Sequence, residues 1–180
     1  MASTRDRAWG AFLGLAVYDA VGTTLEFMSR DSYKPITDML GGGPFQLLPG
    51  EWTDDTSMAL ALTGSIFARD GIEETDLMNR FCDWRDNGLY SYKSRCFDMR
   101  KTCNTALDKF RSNGNPIAGS TDHYSGGIGS PMRRSPVLLF RASNPQECVD
   151  LERRKSPVTQ GASEVVEACA AFAVPICDAI

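Results

Sequence analysis

The stretch Asp54-Asp-Thr-Ser-Met58-Ala-Leu-Ala-Leu62-Thr-Gly-Ser-Ile66-Phe-Ala-Arg69 shows most clearly how this chain folds. Met58, Leu62 and Ile66 follow one another at intervals of four residues, a spacing that puts them on one face of a helix. The stretch therefore predicts an α-helix over residues 54–69 with this face buried in a core.

Apolar residues recur at helical spacing on the N-terminal side of this helix as well. The first segment carries the i, i+3, i+4, i+7, i+8 pattern of a buried helix face, at Trp9, Phe12, Leu13, Ala16 and Val17. Ser3, three residues before Asp6, is typical of the start of that helix. We expect the apolar face of this helix to lie in the core.

Four more segments predict helices. They cover residues 75–85, residues 96–110 with Gly114 just past the end, residues 131–141, and residues 165–180. Pro175 should kink the last of these helices. No stretch alternates apolar and polar residues for long enough to predict a strand. The expected fold is therefore all-α, in a single domain over residues 1–180.

The last helical segment should leave an apolar face open. Cys169, Phe172, Ile176 and Ile180 continue in register to the end of the chain, without a glycine cap or a polar tail. We therefore expect an exposed patch at these residues and a chain that is incomplete. Either a homo-oligomer or a complementing fragment would cover such a patch.

Composition excludes several classes of protein. Of the 180 residues, 42% are hydrophobic and 23% are charged, which is the ordinary balance of a soluble globular domain. A net charge of −4 without a basic stripe argues against binding to nucleic acid or to anionic membranes. Six cysteines with no Cys-x-x-Cys pair, a single histidine and no secretory signal argue against structural zinc and predict a cytoplasmic protein.

The tetrapeptide Thr53-Asp54-Asp55-Thr56 is the most informative polar motif. Thr53 is a candidate N-cap, and acidic residues in the first turn of a helix complement the helix dipole. The same tetrapeptide also offers carboxylate and hydroxyl oxygens in every position, which is the donor chemistry that Mg²⁺ selects. Spacing alone favours capping over metal binding.

Further motifs follow in a fixed order along the chain. They are residues 10–27, which end in Gly22-Thr-Thr-Leu-Glu26-Phe, the glycines at 41–43, residues 49–58 around the tetrapeptide, residues 127–133 (Gly-Ile-Gly-Ser-Pro-Met-Arg) with a proline at 136, and residues 156–160 (Ser-Pro-Val-Thr-Gln). This series resembles the ADP-ribosylglycohydrolase family, particularly its dinitrogenase-reductase-activating branch. The resemblance runs from residue 8 to residue 180 and implies the N-terminal part of that fold, apparently without its C-terminal part.

The resemblance implies an all-α bundle that holds two Mg²⁺ ions in a cleft, where ADP-ribose is cut from a protein side chain, commonly arginine. It implies that Thr53, Asp54 and Asp55 are metal ligands, and that Glu26 and Asp55 are the catalytic carboxylates. ADP-ribose would bind the loop of residues 127–133, with backbone N–H groups facing the pyrophosphate. The ligand-binding positions in that loop would be Gly127, Gly129, Ser130, Met132 and Arg133.

The chain also departs from the family pattern. Tyr18 precedes the first-helix aspartate where a glycine is usual, Ile128 stands in the loop where asparagine is usual, and Gln160 replaces a histidine. No Asp-x-Asp occurs in the chain, although the family's second metal-binding motif has this form. We therefore expect the chain to supply ligands for only part, roughly half, of the metal site.

Two functions are compatible with these motifs. The first is Mg²⁺-dependent hydrolysis of the N-glycosidic bond between ADP-ribose and a modified protein side chain, with arginine as the expected side chain. The alternative is a non-catalytic relative that binds ADP-ribose or a modified protein, or that blocks an ADP-ribosyltransferase as an immunity or regulatory protein. The tetrapeptide and Glu26 favour the first function, whereas Ile128, Gln160 and the missing Asp-x-Asp favour the second.

The remaining charged motifs predict ordinary surface groups. His123 lies in a polar loop without a nucleophile motif, so we expect a solvated histidine. Arg153-Arg154-Lys155 is typical of a solvated helix end.

Overall fold

The structure is a computed structural model that describes residues 2–180. Within this range the chain forms seven α-helices and no strand. The helices are α1 (Thr4–Gly22), α2 (Asp54–Arg69), α3 (Glu74–Asn87), α4 (Lys101–Asn113), α5 (Ser135–Phe140), α6 (Pro145–Lys155) and α7 (Ser163–Ala179). Short 3₁₀ turns lie at Thr23–Leu25, His123–Ser125, Pro131–Arg133 and Ser156–Val158. The prediction of an all-α fold is confirmed.

α2 lies at the centre of the fold, and its observed bounds are those that the sequence predicts. Met58, Leu62 and Ile66 are buried, and the helix packs against α1, α3 and α5. The helix ends at Asp70, whose left-handed backbone (φ +51°) terminates the last turn. The N-terminus of α2 contacts Asp19 of α1 at the edge of a cleft, and the site described below is built there.

α1 begins where the sequence predicts, but its apolar face is not buried. The hydroxyl of Ser3 accepts a hydrogen bond from the N–H of Asp6, and the carboxylate of Asp6 accepts one from the N–H of Ser3. Trp9, Leu13 and Val17, which we call the α1 stripe, are 54%, 53% and 48% exposed. The prediction of a buried face is wrong, because helical spacing shows that a helix is amphipathic but does not provide the element that covers it.

The start of α4 also differs from the prediction. The helix begins at Lys101, not at residue 96, because the preceding loop contains left-handed backbone at Tyr90, Ser94 and Asp98. Gly114 ends the helix with φ +71°, as its position in the sequence predicts. The shifted start leaves Asp98 in a loop that turns back toward α2.

α6 and α7 pack against each other, and α6 has no counterpart among the predicted helices. α7 continues through Pro175 to Ala179. Cys169 and Ile180 are buried, whereas Phe172 is 56% exposed. The expected open patch is therefore wrong for most of α7, because α5 and α6 cover the side of α7 that we expected to be exposed.

Two further observations bear on the environment of the chain. All six cysteines are free thiols, which is the state typical of cytoplasmic proteins. The cytoplasmic location itself stays a prediction. None of the helices formed by residues 2–180 is long and apolar enough to cross a membrane.

Candidate active site

A cleft of about 840 Å³ lies between the end of α1, the start of α2 and the loop that precedes α5. Glu26, Thr53 and Asp55 form part of its wall, and Ile128 and Met132 line it from the loop. The structure thus brings three of the predicted catalytic and metal-binding residues into one cleft with the predicted ligand loop. Asp54 lies behind this wall, where it is buried.

Asp19 of α1 organises the N-terminus of α2. Its carboxylate accepts hydrogen bonds from the backbone N–H of Thr53 (3.0 Å) and of Thr56 (3.0 Å). It also accepts hydrogen bonds from the hydroxyls of both threonines, each at 2.6 Å. Thr53 occupies the N-cap position of α2, as the sequence predicts, but its own side chain makes no capping hydrogen bond. The cap is supplied by a residue 34 positions earlier, which no local pattern identifies.

Asp54 and Asp55 do not cap α2, because Asp19 accepts the hydrogen bonds at the start of the helix. Asp54 is buried, and its Oδ2 has no hydrogen-bond partner within residues 2–180. Burial, and then the charge of Asp55, raises the pKa of Asp54 to about 8. Burial, and then the charge of Asp19, raises the pKa of Asp55 to about 6. Asp54 and Asp55 therefore lie in one helical turn, where burial and neighbouring negative charges disfavour the ionised carboxylates.

A further acid, Asp98, joins this group without any signal in the sequence that could have identified it. Burial, and then the charge of Glu26, raises the pKa of Asp98 to about 7. Asp98 has a left-handed backbone (φ +58°), an uncommon conformation for this residue type outside turns and functional sites. Arg100 is the nearby base, with Nη2 3.8 Å from Oε1 of Glu26. Glu26 is thus part of an acidic cluster and not a solvated surface acid.

The donor chemistry of this cluster fits a hard divalent cation. Carboxylates whose pKa values are raised by burial and by one another gain from a nearby positive charge, and the buried Oδ2 of Asp54 is an unused acceptor. Among residues 2–180, no three His, Cys, Asp or Glu side chains already converge at metal-ligand distances. Metal binding by Thr53, Asp54 and Asp55 therefore stays a prediction.

The loop of residues 127–133 presents backbone donors to the cleft side. The N–H groups of Gly127, Ile128, Gly129 and Ser130 donate no hydrogen bond to any group of residues 2–180. Consecutive free N–H groups form an anion-binding concavity. Ser130 and Arg133 are wholly buried, backbone included, and Gly129 is buried as well, so Gly127 and Ile128 provide the exposed backbone of the loop. Of the predicted ligand-binding positions, Met132 is the one that lines the cleft directly.

Gln160 lies behind the loop and not in the cleft. Its amide nitrogen donates to Oγ1 of Thr102 at 2.8 Å, and the residue is buried. A Cβ added to Gly129 would come within 2.9 Å of both this amide nitrogen and the sulfur of Cys103. Glycine at position 129 therefore lets the loop lie directly on Gln160, because any side chain there would displace Gln160 or Cys103.

His123 lies away from the cleft, as its polar surroundings predict. Its side chain is exposed, and its Nδ1 lies 2.5 Å from Oε1 of Glu164 at the start of α7. The pair ties the 3₁₀ turn to α7 and leaves no role for His123 in the chemistry of the cleft.

The fold and this cleft together define a helical protein with an acidic pocket at one helix N-terminus and, beside it, a loop whose backbone N–H groups are unpaired within residues 2–180. The family model for ADP-ribosylglycohydrolase matches residues 1–180. The chain belongs to the ADP-ribosylglycohydrolase family.

Named relatives agree with this assignment. The chain is 39% identical over 164 residues to "ADP-ribosylarginine hydrolase Tri1" of Serratia proteamaculans, covering 91% of this chain and 44% of the relative. It is 40% identical over 171 residues to the protein of the same name in Pseudomonas putida, covering 95% and 46%. It is 37% identical over 149 residues to "ADP-ribosyl-[dinitrogen reductase] glycohydrolase" of Rhodospirillum rubrum, covering 81% and 48%.

A solved structure shares the fold. The match to an "ADP-ribosylglycohydrolase-related protein complex" has a TM-score of 0.80 and 37% identity, and it covers 94% of this chain and 54% of that one. The chain therefore spans about half the length of the relatives and of the solved structure that it matches.

Proposed function

We propose that this chain forms the acidic part of the active site of an ADP-ribosylarginine hydrolase, an enzyme that removes ADP-ribose from modified arginine in proteins. One observation carries the proposal: a single cleft joins the carboxylates of Glu26 and Asp55, with Asp98 next to Glu26, to a loop with free N–H groups. ADP-ribosylarginine needs both features, because its pyrophosphate is anionic and its guanidinium is cationic. The names of the relatives support the same substrate class.

The residues of the cleft divide the chemistry between them. The free N–H groups of Gly127 and Ile128 bind the pyrophosphate, and the acidic cluster receives the guanidinium. Mg²⁺ held by Thr53, Asp54 and Asp55 would supply Lewis-acid polarisation of the ribose oxygens and a lower pKa for water. Asp55 is suited to act as a general base, because a pKa of about 6 leaves it mostly ionised yet basic near neutral pH.

The reaction balances with one shuttled proton. The glycosidic C–N bond breaks, and the oxygen of a water molecule bonds to the ribose carbon. A carboxylate of the cleft, Asp55 or Glu26, takes a proton from that water, and the same proton is returned to the departing guanidine nitrogen. Glu26 lies beside Arg100, with Nη2 of Arg100 3.8 Å from its Oε1, and next to Asp98.

Titration calorimetry with ADP-ribose tests the binding half of the proposal. We expect binding that Mg²⁺ strengthens, and an Asp55→Ala variant that loses about tenfold or more of the affinity measured with Mg²⁺. Asp108→Ala, which changes an acid on the exposed side of α4, is the matched control and should bind like the wild type. No heat at millimolar ADP-ribose, or an unchanged affinity in Asp55→Ala, would contradict the proposal.

The α1 stripe is an exposed apolar surface on the helix that borders the cleft. Half-exposed Trp9, Leu13 and Val17 lie on the helix that also supplies Asp19 to the cleft. We propose that this stripe packs against a polypeptide equivalent to the part of the relatives that this chain does not span, whether in the same molecule or in another. That polypeptide would complete the set of metal ligands.

A charged substitution in the stripe tests this proposal. Leu13→Glu should leave the unfolding temperature of the chain unchanged, because the side chain is exposed, but it should prevent complementation by the missing part of a relative such as the Pseudomonas putida protein. Complementation is measured as co-elution and as turnover of ADP-ribosylarginine. Full turnover by the chain alone, or a stable homodimer that buries the stripe, would overturn this proposal. Binding of ADP-ribose without turnover in the complemented pair would favour the non-catalytic alternative.

A further inference from the structure

Three charged side chains lie wholly buried beneath the ligand loop. They are Arg133, at the end of the loop, and Glu152 and Lys155, both from α6. Lys155 was expected at a solvated helix end, and that prediction is wrong, although Arg153 and Arg154 do lie at the surface. Burial of charge is costly, and apolar side chains of similar volume often give equal or greater stability. The presence of these charges therefore calls for a reason other than stability.

Both buried cations hold carbonyl groups of the loop. Nζ of Lys155 donates to the carbonyl oxygen of Ser130 at 3.1 Å and to Oε2 of Glu152 at 2.7 Å. The guanidinium of Arg133 donates through Nη1 to the carbonyl oxygen of Gly129, and through Nη2 to Oγ1 of Thr159 at 2.7 Å. Two consecutive carbonyl groups of the loop are thus drawn toward the core.

These hydrogen bonds fix the buried end of the loop. In a trans peptide the C=O and the following N–H point in opposite directions, so the peptide between Gly129 and Ser130 is oriented by the buried guanidinium. Gly129 and Ser130 are both buried, whereas Gly127 is partly exposed and Ile128 is exposed. The N–H groups of Gly127 and Ile128, which have no partner in residues 2–180, therefore directly precede the anchored segment. The carbonyl of Ser130 precedes Pro131, which has no N–H, so its bond to Lys155 anchors the loop where the 3₁₀ turn begins.

We propose that Lys155 and Arg133, with Glu152 as the counter-charge of Lys155, are positioning residues that anchor the buried end of the loop at Gly129 and Ser130, and thereby hold the free N–H groups of Gly127 and Ile128 in the arrangement that binds the pyrophosphate of ADP-ribose. This inference rests on the proposed function. The two cations and one anion also leave one positive charge beneath the loop, and that charge attracts an anionic ligand.

Replacement of the ion pair by apolar residues separates positioning from stability. In the Lys155→Met/Glu152→Met double variant the net charge beneath the loop is unchanged, because one cation and one anion leave together. The unfolding temperature should stay the same or rise. The affinity for ADP-ribose, measured by titration calorimetry, should fall about tenfold, because the carbonyl of Ser130 loses its anchor. Lys155→Arg, which keeps a donor at this position, should restore most of the affinity.

The matched control uses a neighbouring pair on the surface. Arg153 and Glu167 connect α6 and α7 with Nη2 2.8 Å from Oε2, and both side chains are about half exposed. Arg153→Met/Glu167→Met should change neither the unfolding temperature nor the affinity for ADP-ribose. If the buried double variant does not fold, Thr159→Val replaces it, since this change removes an acceptor of Arg133 without removing a charge. We expect a fewfold loss of affinity in Thr159→Val.

The outcomes separate this inference from the proposed function. A wild-type chain that does not bind ADP-ribose contradicts the proposed function and this inference together. A wild-type chain that binds, with a folded Met/Met variant (or, in its place, Thr159→Val) that binds equally well, overturns the positioning role alone. A loss of affinity that Lys155→Arg does not restore would also overturn it, because the anchor would then not depend on a donor at residue 155.

Discussion

Replacement of Asp19 by Ala should lower the free energy of unfolding by on the order of 3 kcal/mol, because two backbone N–H groups and two hydroxyls at the start of α2 lose their acceptor. Thr53 and Thr56 are buried, so water cannot fully replace the carboxylate. The same substitution should also weaken ligand binding, since it releases the helical turn that carries Asp54 and Asp55. Denaturant unfolding and titration calorimetry measure the two effects.

A second capping aspartate provides the control for this experiment. Asp6 accepts hydrogen bonds at the start of α1 in a similar way, but its position is exposed and far from the cleft. Asp6→Ala should therefore cost less stability than Asp19→Ala and should not change the affinity for ADP-ribose. Equal losses in the two variants would mean that Asp19 contributes nothing beyond an ordinary helix cap.

The parts of the fold that local sequence patterns determine were predictable. The bounds of α2 follow from a continuous helical period, the capping box of α1 from Ser3 and Asp6, and the end of α4 from Gly114. Each of these features depends on residues within one or two turns of each other. The parts of the cleft that α2 and the loop contribute could be located for the same reason, since each is a short contiguous motif.

The features that escaped prediction depend on distant partners. Asp19 caps a helix that begins 35 residues later, and Asp98 reaches Glu26 only because a loop with left-handed backbone turns it toward α2. Lys155 follows two surface arginines, and only the packing of α6 beneath the loop decides that it is buried. The α1 stripe shows the reverse case: the pattern identifies the helix and its apolar face, but no element of residues 2–180 covers that face. Sequence periodicity identifies the apolar face of a helix, and the tertiary structure determines which elements pack against that face.

The second large effect is the dependence of the free energy of unfolding on pH when no metal is bound to Asp54, Asp55 and Asp98. The pKa of Asp54 is about 8 in the folded chain, against 3.8 for an unperturbed aspartate. Between these two values the folded chain holds a proton that the unfolded chain has released, so the free energy of unfolding falls as the pH rises. Asp55 and Asp98, with pKa values of about 6 and about 7, act in the same direction. At about 1.4 kcal/mol per pKa unit, the loss across this window amounts to several kcal/mol.

Mg²⁺ should reverse that loss, because a bound cation replaces the proton that neutralises the cluster. In chelator, the unfolding temperature of the wild type should fall steadily from about pH 5 to about pH 8, and millimolar Mg²⁺ should restore it most strongly at the upper end.

Asp54→Asn should flatten the slope in chelator, since it removes the most perturbed acid, and should abolish most of the stabilisation by Mg²⁺. Asp31→Asn, at a fully exposed site, should behave like the wild type. An unfolding temperature that rises with pH in chelator would show that ionisation of the cluster does not destabilise the fold. Equal stabilisation of Asp54→Asn and wild type by Mg²⁺ would place the cation elsewhere than at the start of α2.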